Sequence, residues 1–299
     1  YKDSLDVPEY TAKFGLNAFE YQCGRGVRLG EAKAKVMAQR AAERDILFSL
    51  HAPYFISMSS LEEEKRLNSI NYILDSCRAV KSLGGRRVIF HSGSCGKQSR
   101  EAALEKALDT LHRMVEAVDE AGYGELTLCP ETMGKVGQLG TLDEVLALCG
   151  VDKRITPCID FGHLNARDQG CIRTKADYAA ILDRMAEVLQ DERASHFHAH
   201  FSKIQYTTGG EKCHLTFADT VYGPEFEPLM ELCYERGLSP VIICESAGTQ
   251  AEDARTMMQY YQSLAKGRKS KPRTRPHLAA ANRKNRAESP NLAATPALF

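Results

Sequence analysis

Seven short segments of the chain end in side chains that can hold a metal ion. In order they are Leu50-His51-Ala52-Pro53, Ile89-Phe90-His91-Ser92-Gly93, Leu128-Cys129-Pro130-Glu131-Thr132, Cys158-Ile159-Asp160-Phe161-Gly162-His163, His196-Phe197-His198-Ala199-His200, Glu211-Lys212-Cys213-His214 and Cys244-Glu245-Ser246. Imidazole and carboxylate donors in this mixture suit borderline divalent cations such as Zn²⁺ and Mn²⁺. One such His is explained by a hydrogen bond in a core. A series of them on successive segments asks for a shared pocket. Glu131, Asp160 and Glu245 are the carboxylates able to bridge ions. Two ions about 3.5–4 Å apart can activate a water and hold both the attacking and the leaving oxygen of a phosphodiester, with no Ser or Cys nucleophile.

The segments that carry these residues alternate with helical stretches. Strand-like runs cover Asn17 to Gln22, Ile46 to His51, Arg87 to His91, Glu125 to Glu131, Ile155 to Asp160, Ser195 to His200 and Pro240 to Glu245. Helical runs fall between them, with the Glu211 to His214 segment expected in a loop. Such alternation predicts a parallel sheet with helices outside, the pattern of a (β/α)8 TIM barrel, whose catalytic groups sit at the C-terminal ends of the strands. Only seven strands are counted, so the chain is expected to lack the first barrel strand, since only Tyr1 to Leu5 precede the first helix. Side chains alternate along a strand, so His196, His198 and His200 share one face, and at most two of them are expected at the mouth.

Formal charge is zero overall but uneven. From Lys266 onward nine basic side chains stand against Glu288, a net of +8, which leaves the body at −8. Two regions are therefore expected: a barrel over residues 1–265 and a disordered basic tail over residues 266–299. An acidic body suits a polynuclear cation site and disfavours a polyanion unless the ions offset it. The ten cysteines include no CxxC pair and do not track the strand ends, so thiolate ligands are not expected. They read as reduced thiols of a cytoplasmic protein. No run is long enough to span a membrane.

At these positions the chain resembles the endonuclease IV family of apurinic/apyrimidinic endonucleases, (β/α)8 barrels with a trinuclear zinc site that cut DNA 5′ to an abasic site. The resemblance covers about Ser4 to Ala265. His51-Ala52-Pro53-Tyr54 is similar to the family's His-x-x-Tyr, and His91-Ser92-Gly93-Ser94 to its His-Pro-Gly-Ser. Glu131-Thr132 resembles its Glu-Asn/Thr-Thr/Ala segment, and Cys158 to His163 its Cys-Ile-Asp-Thr-Cys-His. His198 precedes Lys203 as the family's His precedes its Lys, and Glu245 matches the Glu of its last strand. The resemblance implies one ion at His51, His91 and Glu131, and a second at Glu131, Asp160, His198 and Glu245. A third would lie at His163, Glu211 and His214, with Glu131 and Glu245 catalytic. The family has Asp-x-His in that last segment, whereas Lys212 stands two before His214, so Glu211 is the nearest carboxylate. The cofactor implied is Zn²⁺, two or three ions, with Mn²⁺ as the alternative. The partner implied is double-stranded DNA with abasic sites, contacted by Arg25, Arg28, Tyr54 and Lys203; a salt bridge at the barrel mouth is the preferred reading for Lys203, and a mouth-lining aromatic the equal alternative for Tyr54. A monomer that binds no membrane is expected. The rival reading is a metal-dependent sugar isomerase or epimerase on the same scaffold, using fewer ions.

Overall fold

The computed structural model describes residues 3–269, and the tail expected beyond residue 265 lies mostly outside them. Seven parallel strands form the barrel wall: β1 (Ala18–Gln22), β2 (Leu47–His51), β3 (Arg87–Phe90), β4 (Thr127–Pro130), β5 (Cys158–Asp160), β6 (His198–Phe201) and β9 (Val241–Cys244). They match the seven runs expected. β1 to β4 pair in sequence, β5 pairs β6, and β6 pairs β9. Single parallel bridges, Leu128 to Ile155 and Glu131 to Cys158, join β4 to the β5 segment. β9 lies beside β1 without a ladder between them. A short helix, α1 (Val7–Lys13), precedes β1. Helices connect consecutive strands on the outside: α2 (Glu31–Ala42), α3 (Glu63–Ser82), α4 (Arg100–Glu120), α5 (Leu142–Cys149), α7 (Lys175–Leu189) and α8 (Glu227–Arg236). α9 (Gln250–Lys269) runs four residues beyond the expected end of the barrel.

Strand parity decides which side chains face the lumen. One set of alternate residues, including Leu50, Phe90, Leu128, Ile159, Phe197, Ala199 and Ile242, joins the large core under the helices. The other set points inward, where Ile89, Cys129 and Cys158 form a small apolar cluster of their own. Barrel interiors are ordinarily filled by bulky branched residues. Here the lumen also holds Glu20, Ser49, His198 and His200, all buried. At the opposite end of the barrel Arg87 reaches across and donates to the carbonyls of His196 and Phe197 at 2.6 and 3.0 Å.

Two elements depart from expectation. The segment expected as a loop is a β-hairpin, β7 (Lys203–Thr207) with β8 (Gly210–Leu215), standing on the mouth directly after β6. A further helix, α6 (Phe161–Arg167), follows β5 at once. All seven of its residues are buried, so it has no polar face to give it a helical periodicity.

Candidate metal centre

The inward-facing tips of the strands converge. His51 ends β2, His91 and Glu131 directly follow β3 and β4, Asp160 ends β5, His200 lies in β6, and Glu245 follows β9. Glu131 is at the centre, with one oxygen toward each of two histidine pairs. Its Oε2 lies 3.0 Å from His51 Nε2 and 3.2 Å from His91 Nε2. Its Oε1 lies 3.2 Å from His163 Nδ1 and 3.2 Å from His200 Nδ1. A carboxylate disposed in this way can bridge two ions. His51 Nδ1 is engaged by the Ala52 carbonyl at 2.9 Å, which turns Nε2 toward Glu131 and makes it the nitrogen able to act as a ligand. Asp160 serves twice: Oδ1 accepts from the His163 backbone N–H at 2.7 Å and starts α6, while Oδ2 lies 3.2 Å from His163 Nδ1, whose hydrogen bond goes to the Thr132 carbonyl at 3.0 Å. That Oδ2 is buried with no hydrogen-bond partner among the described residues, a cost that an ion would remove.

The electrostatics agree with the geometry. Burial opposes ionisation of Glu131, but His200, His163 and His51 outweigh it and hold the carboxyl well below the usual range. Burial would also lower His163, yet the charges of Asp160 and Glu131 raise it to about 10. Burial pushes the Asp160 carboxyl up, and the neighbouring Glu245 and Glu131 add to the shift against the opposing charge of His163. The buried carboxylates thus favour protons on His51, His163 and His200 as counter-charge, whereas burial holds His91 below its usual value. Divalent cations satisfy the same demand once those protons leave.

The ligand atoms of His51, His91 and Glu131 lie within 4.8 Å of one another, as do those of Glu131, Asp160, His200 and Glu245, and those of His163, Glu211 and His214. The donors therefore fit three adjoining ions. The third group depends on the hairpin. In a regular strand residues i and i+2 share a face, so Glu211 and His214 would point apart. The ladder slips between Gln205 and Tyr206: Cys213 pairs Gln205, Glu211 pairs Tyr206, and Lys212 is left over as a bulge. The bulge brings a Glu-x-x-His pair onto one side. Glu211 Oε2 then lies 3.5 Å from His163 Nε2, and Oε1 lies 3.8 Å from His214 Nε2. Ser202 Oγ meets His214 Nδ1 at 2.8 Å and orients the ring. The hairpin tip docks where Glu211 N–H donates to the Gly134 carbonyl at 3.0 Å. Gly210, at φ +91°, leaves no room for a Cβ, which would stand 2.1 Å from the Gly134 oxygen.

Two assignments need correction. His198 shares the inward face of β6 with His200 but lies one layer deeper, and it is His200 that reaches Glu131 and Glu245. Lys203 does not face the mouth. It is buried, and its ammonium donates at 2.7 Å to both the Asp219 carbonyl and the Glu225 carboxylate, a structural tie. Tyr54, 59% exposed, stands at the rim with its ring stacked on His91, centroids 5.4 Å apart. Gly24 sits against that ring, where a Cβ would approach it to 2.5 Å. Arg25 and Arg28 line a small cavity of about 200 Å³ with Gly24. A cavity of about 880 Å³ is lined by His51, His91, Glu131, His163, Glu211, His214, Glu245 and Tyr54, and extends along the β9–β1 seam to Tyr10, Leu16 and Ala254.

Sequence reasoning missed Glu20. It is buried in β1, accepts a hydrogen bond from Ser49 at 3.0 Å, and lies 3.0 Å from both His198 and His200. Its signal is available in the sequence: a carboxylate on the same face of the strand as Ala18 has nowhere to go but the lumen. Cys158, expected only as a buried thiol, also faces the lumen beside these histidines.

Comparison with known proteins agrees with this architecture. The chain is 32% identical over 263 residues to the uncharacterized protein MJ0133 of Methanocaldococcus jannaschii, covering 88% of this chain and 93% of that one. It is 24% identical over 227 residues to a probable endonuclease 4 of Mycoplasmoides gallisepticum, 73% of this chain and 71% of the relative. A probable endonuclease 4 of Malacoplasma penetrans is 30% identical over 121 residues, 39% of this chain and 40% of that protein. Among solved structures, a D-tagatose 3-epimerase-like protein superposes with TM-score 0.69 at 19% identity, covering 88% of this chain and 94% of its own. Endonuclease IV from Thermus thermophilus superposes with TM-score 0.64 at 18% identity, covering 87% and 94%. These likenesses at low identity speak for the fold alone. The family model described as xylose isomerase-like TIM barrel matches residues 8–264, and the chain belongs to that family.

Proposed function

We propose that this protein is a metal-dependent phosphodiesterase that incises double-stranded DNA on the 5′ side of abasic sites, with zinc as its ion. One observation carries the reading: Glu131 turns an oxygen to each of two histidine pairs, beside a third ligand group at His163, Glu211 and His214. Donors for three adjoining ions exceed what a single-ion isomerase on this barrel requires. Similarity to the proteins called probable endonuclease 4 points the same way.

In this reading the ions supply water activation and neutralise charge at the phosphodiester. Glu131 would hold two of them, one through each carboxylate oxygen. Glu245, less buried than the other strand-tip carboxylates, faces the cavity and is placed to orient the attacking water. Tyr54 at the rim offers an aromatic face to the gap left by a missing base, and Arg25 and Arg28 offer positive charge to backbone phosphates. The Glu131, Asp160, His200 and Glu245 group by itself would serve a sugar epimerase, the reading to be beaten.

The test is a duplex carrying one tetrahydrofuran abasic analogue. Incision 5′ to the lesion, abolished by chelator and restored by zinc or manganese, is the expected result. Ketose epimerisation without incision would replace the nuclease reading.

A further inference from the structure

Beneath the mouth, the lumen holds a second cluster that the proposed reaction does not use. Cys158 of β5 pairs in register with His198 of β6, and their side chains meet below the Glu131 layer. Ligand atoms of Cys158, His198 and His200 lie within 4.8 Å of one another, and all three residues are fully buried. Glu20 enters from the far wall: Oε2 lies 3.0 Å from His198 Nε2 and Oε1 lies 3.0 Å from His200 Nε2. These contacts are short, yet they are not aligned as hydrogen bonds. Both ring nitrogens of His198 and the Nε2 of His200 have no hydrogen-bond partner among the described residues. Nitrogens and oxygens that approach closely without pointing at each other are what ligands of a common ion look like. Bonds of about 2.0–2.3 Å to a tetrahedral zinc set neighbouring donors roughly 3.4 Å apart.

We propose that Cys158, His198 and His200 hold a further metal ion of the zinc type, with Glu20 set against both imidazoles. Two imidazoles and one thiolate are a donor set for such an ion. His200 gives Nε2 to this site and Nδ1 to the Glu131 layer, so one ring joins the two. Occupancy displaces the Cys158 thiol proton and the remaining His200 ring proton. Ser49, which donates to Glu20, fixes the carboxylate that lies against the two imidazoles. The proposal does not rest on the nuclease reading.

The test uses the full chain reconstituted with Co²⁺. No ligand of the mouth is a thiolate, so a thiolate-to-cobalt charge-transfer band in the near ultraviolet reports this site alone. The band is expected in the wild type. It should disappear in Cys158→Ser with loss of about one equivalent of metal, and persist in Cys129→Ser. Absence of the band from the wild type, or its survival in Cys158→Ser, would overturn the proposal and leave Glu20 and His198 as polar supports for His200. Should Cys158→Ser fail to fold, anomalous scattering from wild-type crystals grown with zinc decides the matter. A peak among Cys158, His198 and His200 supports the site, and a peak only at the mouth refutes it.

Discussion

The mouth of this barrel is assembled in two ways, and the difference predicts how each part behaves. Ligands at the strand tips are held by the sheet itself: Gln22 pairs His51, Asp160 pairs His200, and Glu131 bridges to Cys158. Moving one of them means moving a strand that is buried on both sides. Glu211 and His214 arrive on a two-stranded hairpin that packs on α6 and is tied to the segment from Gly134 to Val136, not on a strand of the barrel wall. Their side chains are 15% and 26% exposed, against 5% or less for Glu131, Asp160, His163 and His200; of the strand-tip ligands His91 and Glu245 are open to a similar extent, 17% and 20%. A two-stranded hairpin is marginal without support. The strand-tip sites are therefore expected to keep their ions, and the hairpin site to yield its ion first as chelator is titrated in.

The largest effect should come from Glu131→Gln. The amide cannot bridge two cations, and the buried histidines lose their shared counter-charge. Metal content is expected to fall by more than one ion per chain, and incision by at least about 10²–10³-fold, the scale of losing one transition-state-stabilising group. Retention of both ions in metal analysis would mean that Glu131 is not the bridge. Inserting one alanine between Gln205 and Tyr206 is the next test, aimed at the hairpin alone. The insert gives Lys212 a partner, so the ladder runs regularly and Glu211 and His214, three residues apart, turn to opposite faces. One ion should be lost while the strand-tip ions remain. If all ions stay bound, the hairpin does not build its site through the bulge.

His163 belongs to both regions and supplies a pH test of their coupling. In the metal-free protein its pKa is raised from 6.5 to about 10. A raised histidine stabilises the fold fully below the unfolded value, and the contribution is lost as pH rises from about 6.5 through 10. Metal must displace that proton, so loading should strengthen over the same rise in pH and release protons at neutrality. Calorimetry in buffers of different ionisation enthalpy reads the proton count. Loading without proton release would show that His163 is no ligand.

Most of the strand-tip set is legible in the sequence because the sheet converts spacing into geometry. Each His or carboxylate closes an apolar run, and on a parallel barrel that is a statement about position. The errors arise where position depends on something other than strand order. His198 and His200 have the same parity, so the sequence alone leaves open which of them stands at the mouth level; depth is set by the register Cys158 to His198 and Asp160 to His200. The hairpin reads as a loop because its two strands are short and polar, and the bulge that rescues Glu-x-x-His leaves no mark beyond the odd spacing. Helix α6 escapes because total burial erases amphipathicity.

The rim offers the smaller tests. Gly24→Ala places a Cβ 2.5 Å from the Tyr54 ring and should shift that ring off His91. Weaker binding to abasic duplex is expected, with undamaged duplex little affected, in a fluorescence anisotropy titration. Equal loss on both duplexes would remove Tyr54 from lesion recognition.

Lys203→Met should give the smallest change in DNA binding, and for that reason it separates a structural cation from a DNA-facing one. Its ammonium is committed to Asp219 and Glu225 inside the fold, so it has no charge to offer a phosphate. A phosphate-contacting lysine lowers the slope of log affinity against log salt by about one when removed. For Lys203→Met the slope should not move, whereas Arg25→Ala and Arg28→Ala should each reduce it. The cost should appear instead in thermal stability, because the Asp219 carbonyl loses its donor and the segment from β7 to Glu225 loses its tie. A changed salt slope with unchanged stability would reverse the assignment and return Lys203 to the DNA-binding surface.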